Sequence, residues 1–190
     1  MLQLKKIAAV VVTYNRLEML KKCISALENQ TYECDVFIIN NASTDSTEQW
    51  VLGYISDKDN LFYYNTGENI GGAGGFNYGM RKAVESGYEY VWVMDDDCMP
   101  TSTALENFLI TDEKLNGNYG FLSSKVLWKD ESICTMNVQR ETMFKNVKDF
   151  QSKVVDVCMA SFVSLFVPVK IVKEVGLPIK EFFINFNIRI

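Results

Sequence analysis

No histidine occurs anywhere in the 190 residues, and that absence removes more chemistry than any other. Ser-His-Asp and Cys-His catalysis, histidine-ligated zinc and imidazole pH sensing all fall away. Proline is scarce, at three, and the eleven glycines form no repeat, so no proline-rich linker or low-complexity tract is present. Five cysteines stand at 23, 34, 98, 134 and 158 without Cys-x-x-Cys spacing. That pattern predicts reduced, buried or half-buried thiols in a cytosolic chain. Long apolar runs are missing too: after Lys5 and Lys6 only six apolar residues, Ile7 to Val12, precede Thr13. Such a run is too short for a signal peptide and far short of a transmembrane segment. The sequons at Asn29 and Asn41 are therefore expected to be silent, and the expected location is the cytoplasm or the periphery of the membrane's inner face. Basic residues are outnumbered, 19 against 24 acidic, for a net charge of −5. A nucleic-acid binder would need a basic face to displace phosphate counterions, so that class is excluded, while a local positive cluster for a phosphorylated ligand is not.

What is present suits a single ordered domain: 48% of residues are apolar and 23% charged, enough to bury a core without disulfides or a structural metal. The first hundred residues alternate strand and helix signals. Ile7 to Val12, Val36 to Ile39, Leu61 to Tyr64 and Tyr90 to Met94 are continuous apolar runs of strand length, as for strands buried on both faces. Asn15 with Glu18, and Asp45 with Glu48, read as helix starts. A glycine-rich loop then leads into a helix with Phe76, Met80, Ala83 and Val84 on one face, ended by Gly87. The second half predicts a helix after Pro100 running to Ile110, a strand over 120–128, a flexible polar loop over 129–153 and an apolar segment over 158–167. A helix then opens at Pro168 and closes at Gly176. Strands alternating with helices predict an α/β fold of parallel βαβ units. In such sheets ligands bind beyond the carboxyl ends of the strands, which points to 13–16, 40–45, 65–75 and 95–97.

Asp95, Asp96 and Asp97 are the sharpest feature. Two unit charges about 5 Å apart repel by roughly 3 kcal/mol at an effective dielectric near 20, so three carboxylates beside a core call for a counter-charge. A hard divalent cation, Mn2+ or Mg2+, would supply it and keep positions open for phosphates. If the segment stays extended, Asp95 and Asp97 share one side and Asp96 faces the other. The competing reading is an acidic solvated turn. The glycine-rich run from Asn69 to Gly79 lets backbone approach a phosphate at a helix start, but it fails the dinucleotide fingerprint at Asn77, and no Gly-Lys-Ser/Thr occurs. Gly75 and Gly79 equally suit tight helix packing. Arg81 either reaches a diphosphate or lies in solvent. Thr13 to Arg16 could present a hydroxyl, a ring and a guanidinium to a base or phosphate, with Asn15 also capping its helix. Asn40 either meets a pyrimidine or shapes a turn with Asn41.

Val11 to Arg16, Ile39 to Asp45, Asn69 to Phe76 and Met94 to Asp97, followed by Val175 to Pro178 and Phe182 to Ile184, resemble in order the blocks of the family-2 glycosyltransferases. These are nucleotide-sugar enzymes with the GT-A fold; the branch resembled contains galactofuranosyl- and rhamnosyltransferases. The resemblance implies a mostly parallel central sheet flanked by helices and one domain over 1–190. Within it, 1–100 form the nucleotide-binding half and 101–190 part of an acceptor half. It implies a UDP- or dTDP-sugar donor and a glycan or lipid-linked acceptor, with inverting, metal-dependent transfer that builds a cell-surface polysaccharide or glycolipid. Donor contacts are implied at Thr13, Tyr14, Asn15, Arg16, Asn40, Asn69, Gly72, Arg81 and Asp96, and metal contacts at Asp95 and Asp97. Two departures stand out. Asn40 replaces the family's base-binding Asp, although its carbonyl oxygen can still accept a proton from a base N–H. After Phe182 to Ile184 the family's Asp-Asp pair with its general base is missing, and Asn187 and Ile188 stand nearest. An amide cannot accept that proton. The expectation is a chain lacking its C-terminal base motif, whether truncated, frameshifted or a donor-binding remnant without transfer activity. A sugar-1-phosphate nucleotidyltransferase would want a glycine-rich loop with a basic residue where Thr13 to Arg16 stand.

Overall fold

A computed structural model describes residues 5–182 and, as backbone, 187–189. Strands and helices alternate through the first half: β1 Ile7–Thr13, α1 Leu17–Glu28, β2 Asp35–Asn40, α2 Thr47–Tyr54, β3 Leu61–Asn65, α3 Gly71–Glu85 and β4 Tyr90–Asp95. Then follow α4 Ala104–Leu115, β5 Leu122–Ser123, β6 Arg140–Thr142, β7 Lys145–Asn146, β8 Met159–Ser161, β9 Leu165–Pro168, α5 Val169–Val175 and β10 Asn187–Arg189. The central sheet runs β3-β2-β1-β4-β9-β5. Its first four strands are parallel, while β9 is antiparallel to both β4 and β5.

Successive side chains of a strand point to opposite faces, and here both faces are covered. Ala8, Val10 and Val12 meet Phe76 and Met80 of α3; Ala9 and Val11 join Leu20 and Ile24 of α1 and Leu105 of α4. That is why β1 reads as an unbroken apolar run. The contact with α3 is unusually close. A Cβ on Gly79 would lie 2.4 Å from Val10 Cγ1, and one on Gly75 2.6 Å from Val12 Cγ1. The helix therefore starts inside the glycine run, at Gly71, and not after it as the composition suggests.

The other departures are in the second half. The helix after Pro100 begins at Ala104 and extends to Leu115. The strand expected over 120–128 shrinks to Leu122–Ser123, with one further bridge from Leu127 to Ile133. Residues 129–153 form no plain loop: a 3-10 turn at Thr135–Asn137 is followed by the hairpin of β6 and β7. The 158–167 segment divides into β8 and β9, in different sheets. Pro168 and Gly176, the latter at φ 92, bound α5 as anticipated.

The excursion from β5 to β9 lies beside one end of the sheet. Ser123 pairs with Leu165, which in turn pairs with Val93 of β4. Residues 124–164 thus leave and rejoin the sheet at the carboxyl end of β4. Their neck is closed by Ser124 N–H donating to Ser164 O at 3.1 Å and by the two hydroxyls at 2.9 Å. The small sheet β10-β8-β6-β7 is built there, and the ring of Phe162 packs tilted against Phe76, with centroids 4.8 Å apart.

The opposite end of the sheet is held by a polar cluster. Buried Asp112 pairs with Lys5 and accepts hydrogen bonds from Tyr119 at 2.8 Å and Tyr90 at 3.2 Å. Burial alone would raise its carboxyl; the bonds from Lys5 and Tyr119 outweigh it and hold Asp112 below the usual carboxylate range. A depressed carboxylate stabilises the fold above its unfolded pKa near 3.9, and that contribution is lost as pH falls through the folded value. Asp112→Asn is therefore expected to cost about 2 kcal/mol at neutral pH and to flatten the acid limb of a urea-unfolding series below about pH 4. An acid limb equally steep in the variant would remove Asp112 from this account.

Candidate active site

Register brings the polar residues level. Thr13 pairs with Asn40 and Asn40 with Asn65, while Asp95 sits beside Val12, so the carboxyl ends of all four parallel strands form one rim. There Thr13 and Asp96 are buried, and Thr13 Oγ1 donates to Asp96 Oδ2 at 2.7 Å. Arg16, half exposed, spans both neighbouring acids: Nη1 lies 3.2 Å from Asp96 Oδ1, and Nη2 donates to Asp97 Oδ2 at 2.8 Å.

The acidic segment does not stay extended. The strand ends at Asp95, and Cys98 N–H donates to Asp95 O at 3.1 Å, closing a turn. Asp96 and Asp97 therefore converge on one guanidinium instead of facing opposite sides. Burial, then the charges of Asp97 and Asp96, raise the Asp95 carboxyl to about 6, with Arg16 opposing. Burial also raises Asp96, against the bond from Thr13 and the charge of Arg16. The bond to Asp97 in turn raises the Arg16 guanidinium. One cation thus serves three carboxylates.

The loops after β1 and β2 are tied to each other. Asn15 takes a left-handed φ of 55; its Oδ1 accepts from Thr44 N–H at 2.7 Å and Asp45 N–H at 3.3 Å, and its own N–H donates to Ser43 Oγ. It does not cap α1, whose cap position is Arg16. Asp45 Oδ1 accepts from Thr47 N–H, but Glu48 turns to Asn65 instead of closing a capping box.

Asn40 is fully buried and occupied at both ends: its amide donates to Tyr63 Oη at 2.8 Å and its oxygen accepts from Ser43 N–H at 2.9 Å. In this arrangement both polar ends of Asn40 are used within the protein and it shapes the turn, one of its two expected roles. Tyr14, by contrast, is exposed beside Arg16. Asn69 Oδ1 accepts from Gly71 N–H at 3.0 Å, fastening the start of α3, and Gly72 on the first turn has open space where a side chain would stand.

Arg81 is not part of this group. Because α3 begins at Gly71, Arg81 lies ten residues and about 15 Å down its axis, exposed and over the ring of Tyr78 at 5.5 Å. The sequence reading missed Asn41, which is buried. Its amide donates to Gly71 O at 2.9 Å and its N–H to Thr13 O at 2.9 Å, joining β1, β2 and α3. The Asn40-Asn41 pair was the available signal, but only as a turn. Phe183 and Ile184 of the last family-like block, the following Asn185 and Phe186, and the side chains of Asn187 and Ile188 lie outside the described residues. All five cysteines are free thiols, and burial pushes Cys98 up to about 12. Among the described residues, no helix is long and apolar enough to cross a membrane.

This arrangement has relatives. "Galactofuranosyltransferase GlfT1" of Mycolicibacterium smegmatis is 31% identical over 106 residues, 55% of this chain and 34% of that protein. "GalNAc(5)-diNAcBac-PP-undecaprenol beta-1,3-glucosyltransferase" of Campylobacter jejuni is 29% identical over 160 residues, 83% of this chain and 48% of that protein. The chain thus spans at most about half of these relatives' length. Among solved structures, S. aureus TarS matches with TM-score 0.69 and 18% identity, over 94% of this chain and 31% of that one. TarS 1-349 in complex with UDP matches at 0.65 with 20% identity, over 89% and 48%. At this identity the likeness establishes the fold alone, which is GT-A. The model of glycosyl transferase family 2 matches residues 8–119, from β1 through α4 and so through every rim segment, and on that match the chain belongs to glycosyl transferase family 2.

Proposed function

We propose that the rim binds the diphosphate of a UDP- or dTDP-sugar with Mn2+ or Mg2+, for inverting transfer to a glycan or lipid-linked acceptor of a cell-surface polysaccharide or glycolipid. The observation that carries this reading is the single guanidinium of Arg16 against both Asp96 and Asp97, with Asp95 beside them. Three carboxylates and one cation leave a negative excess of hard oxygen donors, which suits a divalent ion of that class. The residues fit such an ion: Asp95 and Asp97 would hold it, and its charge would relieve the repulsion that helps raise Asp95. Among the described residues no three acidic or thiol groups form a ready-made cage, so phosphate oxygens and water would complete the coordination, as Mg2+ favours. When bound, the ion would supply charge neutralisation at the nucleotide leaving group.

The chain's own groups have separable tasks in this reading. Thr13 holds Asp96 in place, and Arg16 keeps a half-exposed positive charge beside the phosphates. The first turn of α3 offers backbone N–H groups under the open space at Gly72. Tyr14 presents a ring for the base. UDP in the TarS complex, and the sugar transfer named for the Mycolicibacterium and Campylobacter proteins, favour the same reading. Asn187 favours a second one, donor binding without transfer, because an amide cannot deprotonate an acceptor hydroxyl.

Thermal unfolding with UDP, dTDP or GDP, each with and without Mn2+, tests both. UDP or dTDP with Mn2+ is expected to raise Tm by about 5–10 °C at a hundredfold excess over Kd. No shift with any of the three overturns both readings. UDP released from UDP-sugars then supports transferase chemistry, and tight binding without release supports the second reading.

A further inference from the structure

We infer that the hairpin of β6 and β7 docks the protein on a membrane, its apolar tip entering the headgroup layer of an anionic bilayer. The tip is Met143 and Phe144, between Thr142 and Lys145. Phe144 is 96% exposed, and Met136 in the turn before β6 is 80% exposed. Single exposed apolar residues are ordinary, but an aromatic and a methionine side by side at a hairpin tip form a wedge. The hairpin is held in shape: Val147 N–H donates to Gln139 O at 2.9 Å, and Arg140 Nη1 donates to Met143 O at 3.1 Å.

Charge selects the occupant. Over residues 139–148 the basic side chains are Arg140, Lys145 and Lys148, against Glu141 alone, in a chain of net charge −5. Glu141 is itself paired with Lys145. A basic flank around an apolar wedge matches an anionic lipid surface, where each Lys or Arg adds attraction and the apolar residues add burial. A stable protein partner would need roughly 800 Å² from this side, more than a two-residue tip offers. Placement agrees, since the excursion bearing the hairpin leaves and rejoins the sheet on the rim that carries Asp95. The inference does not rest on nucleotide binding.

Flotation of the full chain with phosphatidylcholine vesicles, and with equimolar phosphatidylcholine and phosphatidylglycerol, tests it. The chain is expected to float with the anionic vesicles and not with the neutral ones. Phe144→Ser should lower partitioning about 10-fold or more, and Lys148→Glu about 5-fold or more, both with unchanged Tm because the positions are exposed. Phe144→Trp adds a readout independent of these losses, a blue shift of its emission with anionic vesicles only. Partitioning that is absent in the parent chain, or unaltered by Phe144→Ser, overturns the proposal. So does a parent chain that self-associates in sedimentation velocity and is dispersed by Phe144→Ser without any vesicle binding. The Tm shift with UDP and Mn2+ is measured on the same variants, so a failure of docking and a failure of the nucleotide reading register separately.

Discussion

Alanine at Asp97 is expected to abolish the Mn2+-dependent rise in Tm with UDP or dTDP while leaving the unliganded protein almost as stable as its parent. At a hundredfold excess over Kd the ligand contributes about 2.7 kcal/mol. On the proposed reading Asp97 helps to hold the metal, and a loss of affinity of about 100-fold on its removal would bring that contribution close to zero. The cost to the free protein is small for a different reason. Asp97 is half exposed, and its partner Arg16 keeps Asp96; exposed ion pairs contribute about 0.2–1 kcal/mol. Removing a negative charge also relieves Asp95, whose carboxyl Asp97 helps to raise. Thermal unfolding with and without Mn2+ and UDP measures both quantities at once. A variant that keeps the full ligand-induced shift would take Asp97 out of the site.

The second large effect is on stability. At an unconstrained position in a helix, glycine to alanine gains up to about 1 kcal/mol. Gly79 should behave in the opposite sense. An added Cβ meets Val10 Cγ1 at 2.4 Å and Ile39 Cγ1 at 2.9 Å, and both partners are locked in the sheet with no exposed end to swing aside. Gly79→Ala is expected to destabilise by about 1–3 kcal/mol, and Gly79→Val by roughly 3 kcal/mol or more, as overpacking does. Gly72, on the same helix with nothing within 4 Å of a Cβ, is the internal control. Gly72→Ala should stabilise by about 0.5–1 kcal/mol and, on the proposed reading, weaken nucleotide binding by filling the space above the first turn. Urea unfolding of the three variants decides the signs; a stabilised Gly79→Ala protein would contradict the close seating of α3.

The parallel half of the fold is legible because it obeys one rule throughout. Strands covered on both faces lose their polar alternation, so β1, β2 and β4 appear as unbroken apolar runs, and whatever follows each run stands on the rim. Asp95 to Asp97 could be located by this means alone. The start of α3 could not. Glycine disfavours helix locally, and only the seating of Gly75 and Gly79 on Val12 and Val10, contacts distant in sequence, overrides that preference. A helix beginning earlier also sets Arg81 further from the rim, in solvent, which is one of the two places open to it from the sequence. Asn15 misleads in a related way: spaced like a cap before Glu18, it spends its oxygen on the neighbouring loop. Beyond β5, strands of two to four residues are too short to show any period, and an antiparallel strand beside β4 depends on pairings that no local pattern announces.

The contact between Ser124 and Ser164 has a consequence for how such a scaffold diversifies. With the two ends stapled side by side, the stretch between them can grow or shrink at little cost, since doubling a loop adds only about 0.6 kcal/mol of closure entropy. Provided Phe162 keeps its seat on Phe76, whole inserts could be exchanged there like cassettes. Descendants of one ancestor could then acquire new targets while the acidic end of β4 is left untouched.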